Sequence, residues 1–375
     1  MFQQLNPEQF ESVRSLFQGF DYSLSILAAI EGGNPGQIFV DNIQNPRTGL
    51  ALTVEGYLLA GDSEDIEILG GLQRLFKERI FTGEVYVNGD WSMSLAVHPV
   101  DWEARLPELI PSHEVEKIER YHYLCHQTEF DWRGSLPEGF TIQRVDRAFL
   151  SDPQITFPGV VGEWMDFEEV WWTKENFISK GISFAALYGH EVAAWCTPDC
   201  VAGDRIDVGI ITHPDHRRKG LAAAVVGATV EECLSQGFSA VGWHCNARNI
   251  GSQKTAEKVG FQRNREYAYY FYIYDPIDHL AELGWYHYRR GEYDRTVKYY
   301  EQVFALREEN EDYYYHLAAS AWALLGNAKE AIRYLQDAAQ AGWSNADWTR
   351  EQEEFEILHD NPAWDEVLAQ MEEAE

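Results

Sequence analysis

The sequence predicts an α/β (α+β) chain: a mixed-sheet α/β domain, an α+β half before it and an all-helical repeat domain after it. Three observations predict this. From Phe140 onward, strand-like and helical runs alternate in the manner of a mixed α/β layout. Before it, short strand-like runs are punctuated by Gly, Pro and Asn turns, and after Pro276 the composition turns helical and repetitive. A length of 375 residues suits roughly two or three domains. They are placed at 1–135, 136–275 and 276–375.

In the first segment the turn formers Gly32 to Gly36 and Asn45 to Gly49 separate strand-like runs at Ile38–Val40, Leu50–Val54 and Gly56–Ala60. Trp132 to Gly139 supplies the boundary. In the second segment, Ser183–Tyr188 and Val192–Cys196 flank Gly189, His190 and Glu191 as a short-loop hairpin. A buried-looking strand from Arg205 then runs into a basic turn and a helix. That helix keeps Leu221, Val225 and Ala228 on one face and ends at Gly237, where a left-handed cap belongs. In the third segment Gly284, Gly291, Tyr293 and Tyr300 are answered 35 residues later by Ala319, Gly326, Ala328 and Leu335. Trp348 to Met371 is expected to close the array, because about three units are needed for stability.

Composition narrows function. The 61 Asp and Glu against 30 Lys and Arg repel nucleic-acid phosphates and anionic membranes, and favour cationic partners such as amines. Five cysteines without metal-type spacing argue against a disulfide framework and for a reducing cytoplasm. No secretory leader or membrane-length apolar run is read in the sequence.

On so acidic a chain, the run Arg217, Arg218, Lys219 stands out. It is followed by Gly220, Leu221 and Ala222 at a helix start, where successive backbone N–H groups and the helix dipole can hold a pyrophosphate. A strand–turn–helix of this kind is common, so a second element matters. Ala240–Cys245 gives the next strand, followed by Asn249, Ser252, Lys258, Gly260 and Phe261. Taken singly, Asn249 and Gly260 could be only helix caps.

Together the two elements resemble motifs A and B of the Gcn5-related N-acetyltransferase (GNAT) superfamily. The finer wording, from Ile210 to Leu221 and then Trp243, Asn249, Ser252 and Ala256 to Phe261, is similar to a subgroup related to zwittermicin A resistance acetyltransferases. The resemblance implies a GNAT fold with a degenerate GNAT-like half before it. It also implies acetyl-CoA as cosubstrate, held by Ile210, Ile211, Thr212, Arg217, Arg218, Lys219, Gly220, Leu221, Ala222, Asn249 and Ser252, and no metal. A backbone N–H near Ile210 or Ile211 would polarise the thioester carbonyl. Many members carry Tyr where this chain has Ala256, which leaves the general acid unassigned. Tyr267, Tyr269, Tyr270 and Tyr272 are substitutes or simply strand packing.

An amine nucleophile must lose a proton, so a carboxylate near the acetyl group is needed. Asp207, on the motif A strand, is the expected base, with Asp204 in reserve; a solvent-facing or locally paired Asp is the alternative. Glu163, Asp166, Trp171 and Trp172 combine carboxylates with indoles where the superfamily covers its acceptor site, a mix suited to a cationic amine. The same segment also reads as an amphipathic helix with an acidic outer face. His122 and His126, one helical turn apart, form a zinc-type pair without further ligands and read as a packed or surface helix.

The 35-residue repeat resembles tetratricopeptide repeats, which offer a surface to a protein partner. The expected function is acetyl-CoA-dependent N-acetylation of a small amine, such as an antibiotic-like one, by direct attack in a ternary complex. The alternative is a tetratricopeptide interaction protein whose acetyltransferase fold only senses an acyl-CoA.

Overall fold

The computed structural model describes residues 2–87, 89, 91–162 and 166–373. It divides into two compact units, Met1–Ile110 with Lys117–Phe271, and Pro111–Glu116 with Tyr272–Glu375. No helix among the described residues is long and apolar enough to cross a membrane.

The first unit is organised by one sheet. Its strands are β1 (Gln3–Gln4), β2 (Gly36–Val40), β3 (Thr48–Thr53), β4 (Gly56–Gly61), β5 (Ser92–His98), β6 (Lys117–Cys125), β7 (Phe140–Arg144), β8 (Phe184–Tyr188), β9 (Glu191–Ala202), β10 (Arg205–Thr212), β11 (Ala240–Asn246) and β12 (Gln262–Ile273). They lie in the order β1-β2-β3-β4-β5-β12-β6-β11-β10-β9-β8-β7. Read from either end, the order is the same. β2, β3 and β4 are antiparallel neighbours and β5 pairs parallel to β4. In the second half β8, β9 and β10 are antiparallel and β11 pairs parallel to β10.

A helix follows the third antiparallel strand of each half, Ile66–Leu75 after β4 and Leu221–Ser235 after β10. The final strands are exchanged. β6 joins β11, and β12 lies between β5 and β6. Each half therefore completes the other's sheet.

The two halves differ where an anion would sit. Before Ile66 the turn is acidic, and Asp65 Oδ1 already accepts from the N–H groups of Glu67 and Ile68 at 2.8 and 3.3 Å. Arg47 is spent on Asp62 and Asp65 at 3.3 and 2.6 Å. The first half's helix N-terminus is thus filled by the protein's own carboxylate.

Hydrophobic packing gives each half its core. Leu5, Phe17, Ile38 and Ala51 cluster in the first, and Val208, Leu221, Val225, Trp243 and Phe261 in the second. His122 and His126 do not share a helix: His122 lies within β6 and is 2% exposed. The i, i+4 spacing that fits a helix is overridden by pairing to β11 and β12.

The second unit contains two helix pairs, Pro276–Tyr288 with Tyr293–Leu306 and Asp312–Leu324 with Ala328–Ala341. Gly291 and Gly326, at φ 73° and 79°, reverse the chain between partners, a backbone conformation that favours glycine. Gly284 lies against the Tyr300 ring, where a Cβ would come to 3.1 Å. The last residues close this core: Phe355, Leu358, Val367 and Met371 are buried with Leu317, Leu335 and Tyr300.

Candidate functional site

β10 and β11 are paired only from Arg205↔Ala240 to Asp207↔Gly242. Beyond that point both strands continue, and β10 stays bonded to β9 as far as Thr212↔Ala194. Val208 to Thr212 therefore offer β11 an unpaired edge, and a cleft of about 600 Å³ opens between the diverging strands. Asp207 wedges the fork. Its carboxylate fills the space a side chain at Gly242 would occupy.

At the far end of β10 the basic turn prepares an anion seat. His216 N–H donates to His213 O and Arg217 N–H to Pro214 O. The next backbone N–H groups, at Arg218, Lys219 and Gly220, donate to no described residue. Those of Leu221 and Ala222 lie in the first turn of the Leu221–Ser235 helix and have no intrahelical acceptor. Five consecutive donors are thus available. Arg218 at φ 60° and Gly220 at φ 85° curl the turn, and no atom lies within 4 Å of where a Gly220 Cβ would be. This concavity suits a pyrophosphate. The side chains are partly committed, since Arg217 Nε donates to Thr212 O at 3.3 Å and Lys219 Nζ to His216 Nδ1 at 3.1 Å.

The opposite wall comes from β11 and the helix Ile250–Val259. Asn249 caps that helix by accepting from Ser252 N–H at 3.0 Å, and Trp243 Nε1 donates to Ser252 Oγ at 3.0 Å. Asn249, Ser252 and Ile210 line the cleft. Ile211 packs instead into the core beneath β8 and β9. Ala256 is fully buried beside Trp243 and Phe261. No hydroxyl stands in its place.

Asp207 is 3% exposed and is not part of the cleft wall. It faces His244, with Oδ2 and Nε2 3.5 Å apart and neither atom hydrogen-bonded. His244 does line the cleft. Its Nδ1 meets Tyr267 Oη at 2.9 Å, and its ring stacks on His122 at 4.6 Å. Burial and the neighbouring His244 push His122 down to about 4. Asp207, His122 and His244 bring ligand atoms within 4.8 Å of one another, as do Glu55, Cys200 and Asp207. The two stacked imidazoles are within 14° of parallel, so their in-plane lone pairs run side by side and do not converge on one ion. The His122–His244 pair is thus poorly suited to sharing a metal.

The remaining lining residues are acidic to an extent that motif reading missed. Glu55, in the β3–β4 turn, reaches the cleft from the first half. Asp199 reaches it through a bulge, where β9 pairs Cys200 with Asp207 and Pro198 with Val208, leaving Asp199 unpaired. Burial raises the pKa of both carboxyls, and the charge of Asp207 adds to the effect on each. Asp166 and Glu169 complete the acidic set, and Arg120 on β6 is its cationic neighbour. Asn34 ties the elements together by donating to Val170 O and Asp199 O at 2.8 and 3.2 Å.

Of the indoles expected here, Trp171 is buried and donates to Pro198 O at 3.2 Å, while Trp172 is 52% exposed; neither lines the cleft. Glu163 lies outside the described residues.

Comparison with known proteins places this site in a family context. The family model described as GNAT acetyltransferase matches residues 14–270. The chain is 23% identical over 270 residues to the uncharacterized N-acetyltransferase YdfB of Bacillus subtilis (strain 168), spanning 72% of this chain and 98% of that protein. It is also 35% identical over 72 residues, 18% of this chain and 43% of the relative, to the uncharacterized N-acetyltransferase YjdG of the same organism. A GCN5-related N-acetyltransferase-like protein from Streptococcus suis matches in fold with a TM-score of 0.51 and 24% identity, covering 70% of this chain and 98% of that one.

Proposed function

This chain belongs to the GNAT acetyltransferase family, and on that premise we propose that it transfers an acetyl group from acetyl-CoA to a small amine in the cleft between β10 and β11. The observation that carries the reading is the pairing of a five-amide anion seat at Arg218–Ala222 with an acid-lined cleft on one fork of strands. The seat fits a pyrophosphate, Arg217 to Lys219 add positive charge around it, and the unpaired edge Val208–Thr212 can hydrogen-bond an extended pantetheine chain. Acetyl-CoA supplies the activated acyl carbon.

The chain's own residues do the rest. Glu55, Asp199, Asp166 and Glu169 attract the protonated amine. In this proposal Glu55 removes its proton: its carboxyl lies at the cleft and its raised pKa brings it toward the working pH, where a general base is most effective. Asp207 acts at one remove, holding His244 against the wall. A backbone N–H of the β10 edge polarises the carbonyl. With Ala256 in the core, protonation of the leaving sulfur falls to solvent, which a thiol pKa of about 8.5 permits.

The finer readings are also proposals. Ala256, Asn249 and Ser252 support the zwittermicin A resistance-like subgroup and an antibiotic-like amine. The 35-residue repeat supports a tetratricopeptide-like arm for a protein partner. Calorimetry with acetyl-CoA joined to thiol release over an amine panel tests the function. Binding with amine-dependent thiol release is expected; coenzyme binding without release from any amine would refute transfer.

A further inference from the structure

Arg120 is the feature of the cleft that amine binding does not use. It is half-buried on β6, between Asn246 of β11 and Tyr267 of β12. The Tyr267 and Tyr269 rings flank its guanidinium at 5.9 and 5.6 Å. A guanidinium drawn partly out of water ordinarily acquires a carboxylate or carbonyl partner. Here no close ion pair or hydrogen bond joins it to another described residue, Glu55 acting on it only at longer range, and none of its nitrogens is a sealed, unpartnered atom. Its donors therefore face open space, in the cleft and in a small adjoining hollow that Tyr22, Tyr57 and Ser94 also line.

We propose that Arg120 binds a carboxylate of the acceptor, so that the acceptor is an amino-acid-like molecule with its amine toward Glu55 and its carboxylate on the guanidinium. This rests on the acetyl-transfer reading above. The planar fork of arginine matches a carboxylate in two parallel hydrogen bonds, which a purely cation-binding site would not need. Spacing agrees. His244 and Asn246 are two residues apart on one face of β11, about 7 Å, and Arg120 is directly across from Asn246, about 5 Å away. At the end where the strands part, a Glu55 oxygen comes within 4.8 Å of Asp207, and Asp199 lies in the β9 bulge opposite Asp207 and Val208. The amine and carboxylate sites are thus separated by a few bonds' length. A carboxylate would be repelled by Glu55, Asp199, Asp166 and Glu169 unless Arg120 offset them, so selectivity falls on this one residue.

The test uses the full chain and matched pairs: α- and ω-amino acids, each against the amine in which hydrogen replaces the carboxylate. Binding is measured by calorimetry in the presence of CoA, and transfer by thiol release from acetyl-CoA. The carboxylated member of at least one pair should bind at least about tenfold more tightly. Arg120→Gln should erase that difference, whatever common change it makes to both members through the charge of Glu55, and Arg120→Lys should restore part of it. Equal binding of both members to the unaltered protein, a comparison needing no variant, would overturn the proposal. So would an undiminished difference between the members in Arg120→Gln. Selective binding without thiol release would sink the transfer reading and leave this assignment standing.

Discussion

Asp207 and Gly242 face each other in the last registered pair between β10 and β11, and the carboxylate of one occupies the volume the other leaves by having no side chain. Past that pair the strands part and the cleft begins. The fork is thus associated with a buried acid fitted against a glycine. The same contact turns Asp207 Oδ2 toward His244 Nε2 at 3.5 Å.

Gly242→Ala should therefore be more damaging than a typical strand substitution. The added methyl overlaps Asp207 Oδ1, and relief requires a shift of the carboxylate or of β11 within a packed core, which costs about 1–3 kcal/mol. Chemical denaturation should show a lower midpoint, and thiol release should fall with it. Asp207→Asn keeps the shape and is expected to retain the fold. A Gly242→Ala protein as stable as the parent would show that the wedge is dispensable.

Glu55 sets a pH dependence. Its pKa is raised first by burial and then by Asp207, against the lowering effects of His244 and Arg120. A base must be ionised, so kcat/KM should rise with pH along a limb displaced above the ordinary carboxylate range. Glu55→Gln should remove that limb and lower kcat by about 10²–10⁴. A pH profile unchanged in shape by the substitution would take the base role from Glu55.

The basic turn and the Asn249 cap were legible in the sequence because their geometry is local. Gly220 is needed by a turn at φ 85°, and Asn249 caps a helix three residues before the Ser252 N–H it accepts. The acidic lining of the cleft was not legible, because it is assembled across the exchanged strands. Glu55 and Arg120 come from the first half, far from the motifs in sequence. Asp199 enters through a bulge that a strict two-residue alternation misplaces. Trp171 and Trp172 were read as a pair, yet the short helix ends between them. Trp172 adopts φ 64°, which sends one indole into the core and the other to solvent.

At the anion seat, Gly220→Val should separate coenzyme binding from folding. A β-branched residue at φ 85° is strained, yet the position is exposed with no atom near the Cβ, so the penalty falls on the turn. The KM for acetyl-CoA should rise about tenfold or more, with the melting temperature changed by only a few degrees. Calorimetry with CoA checks it directly. Unaltered CoA affinity would show that the turn does not hold the pyrophosphate.

His316 predicts acid sensitivity in the second unit. Its ring stacks on Trp343 at 4.4 Å and lies 5.0 Å from Trp348. Thr349 Oγ1 donates to Asn345 O at 2.9 Å and accepts from Trp343 Nε1 at 3.0 Å. In the 3.2 Å contact with His316 Nε2, therefore, the imidazole must be the donor. Nδ1 is then the site of protonation, and it is buried without a partner. Burial lowers the pKa from 6.5 to about 3. Because the folded value is depressed, the stabilisation is present above 6.5 and is lost as pH falls toward 3, at about 1.4 kcal/mol per unit. Thermal melts of the second unit's transition should drop between pH 6.5 and 4.5. His316→Phe, which keeps an aromatic ring but cannot titrate, should flatten that drop; an equally steep decline in the variant would assign the acid sensitivity to other groups.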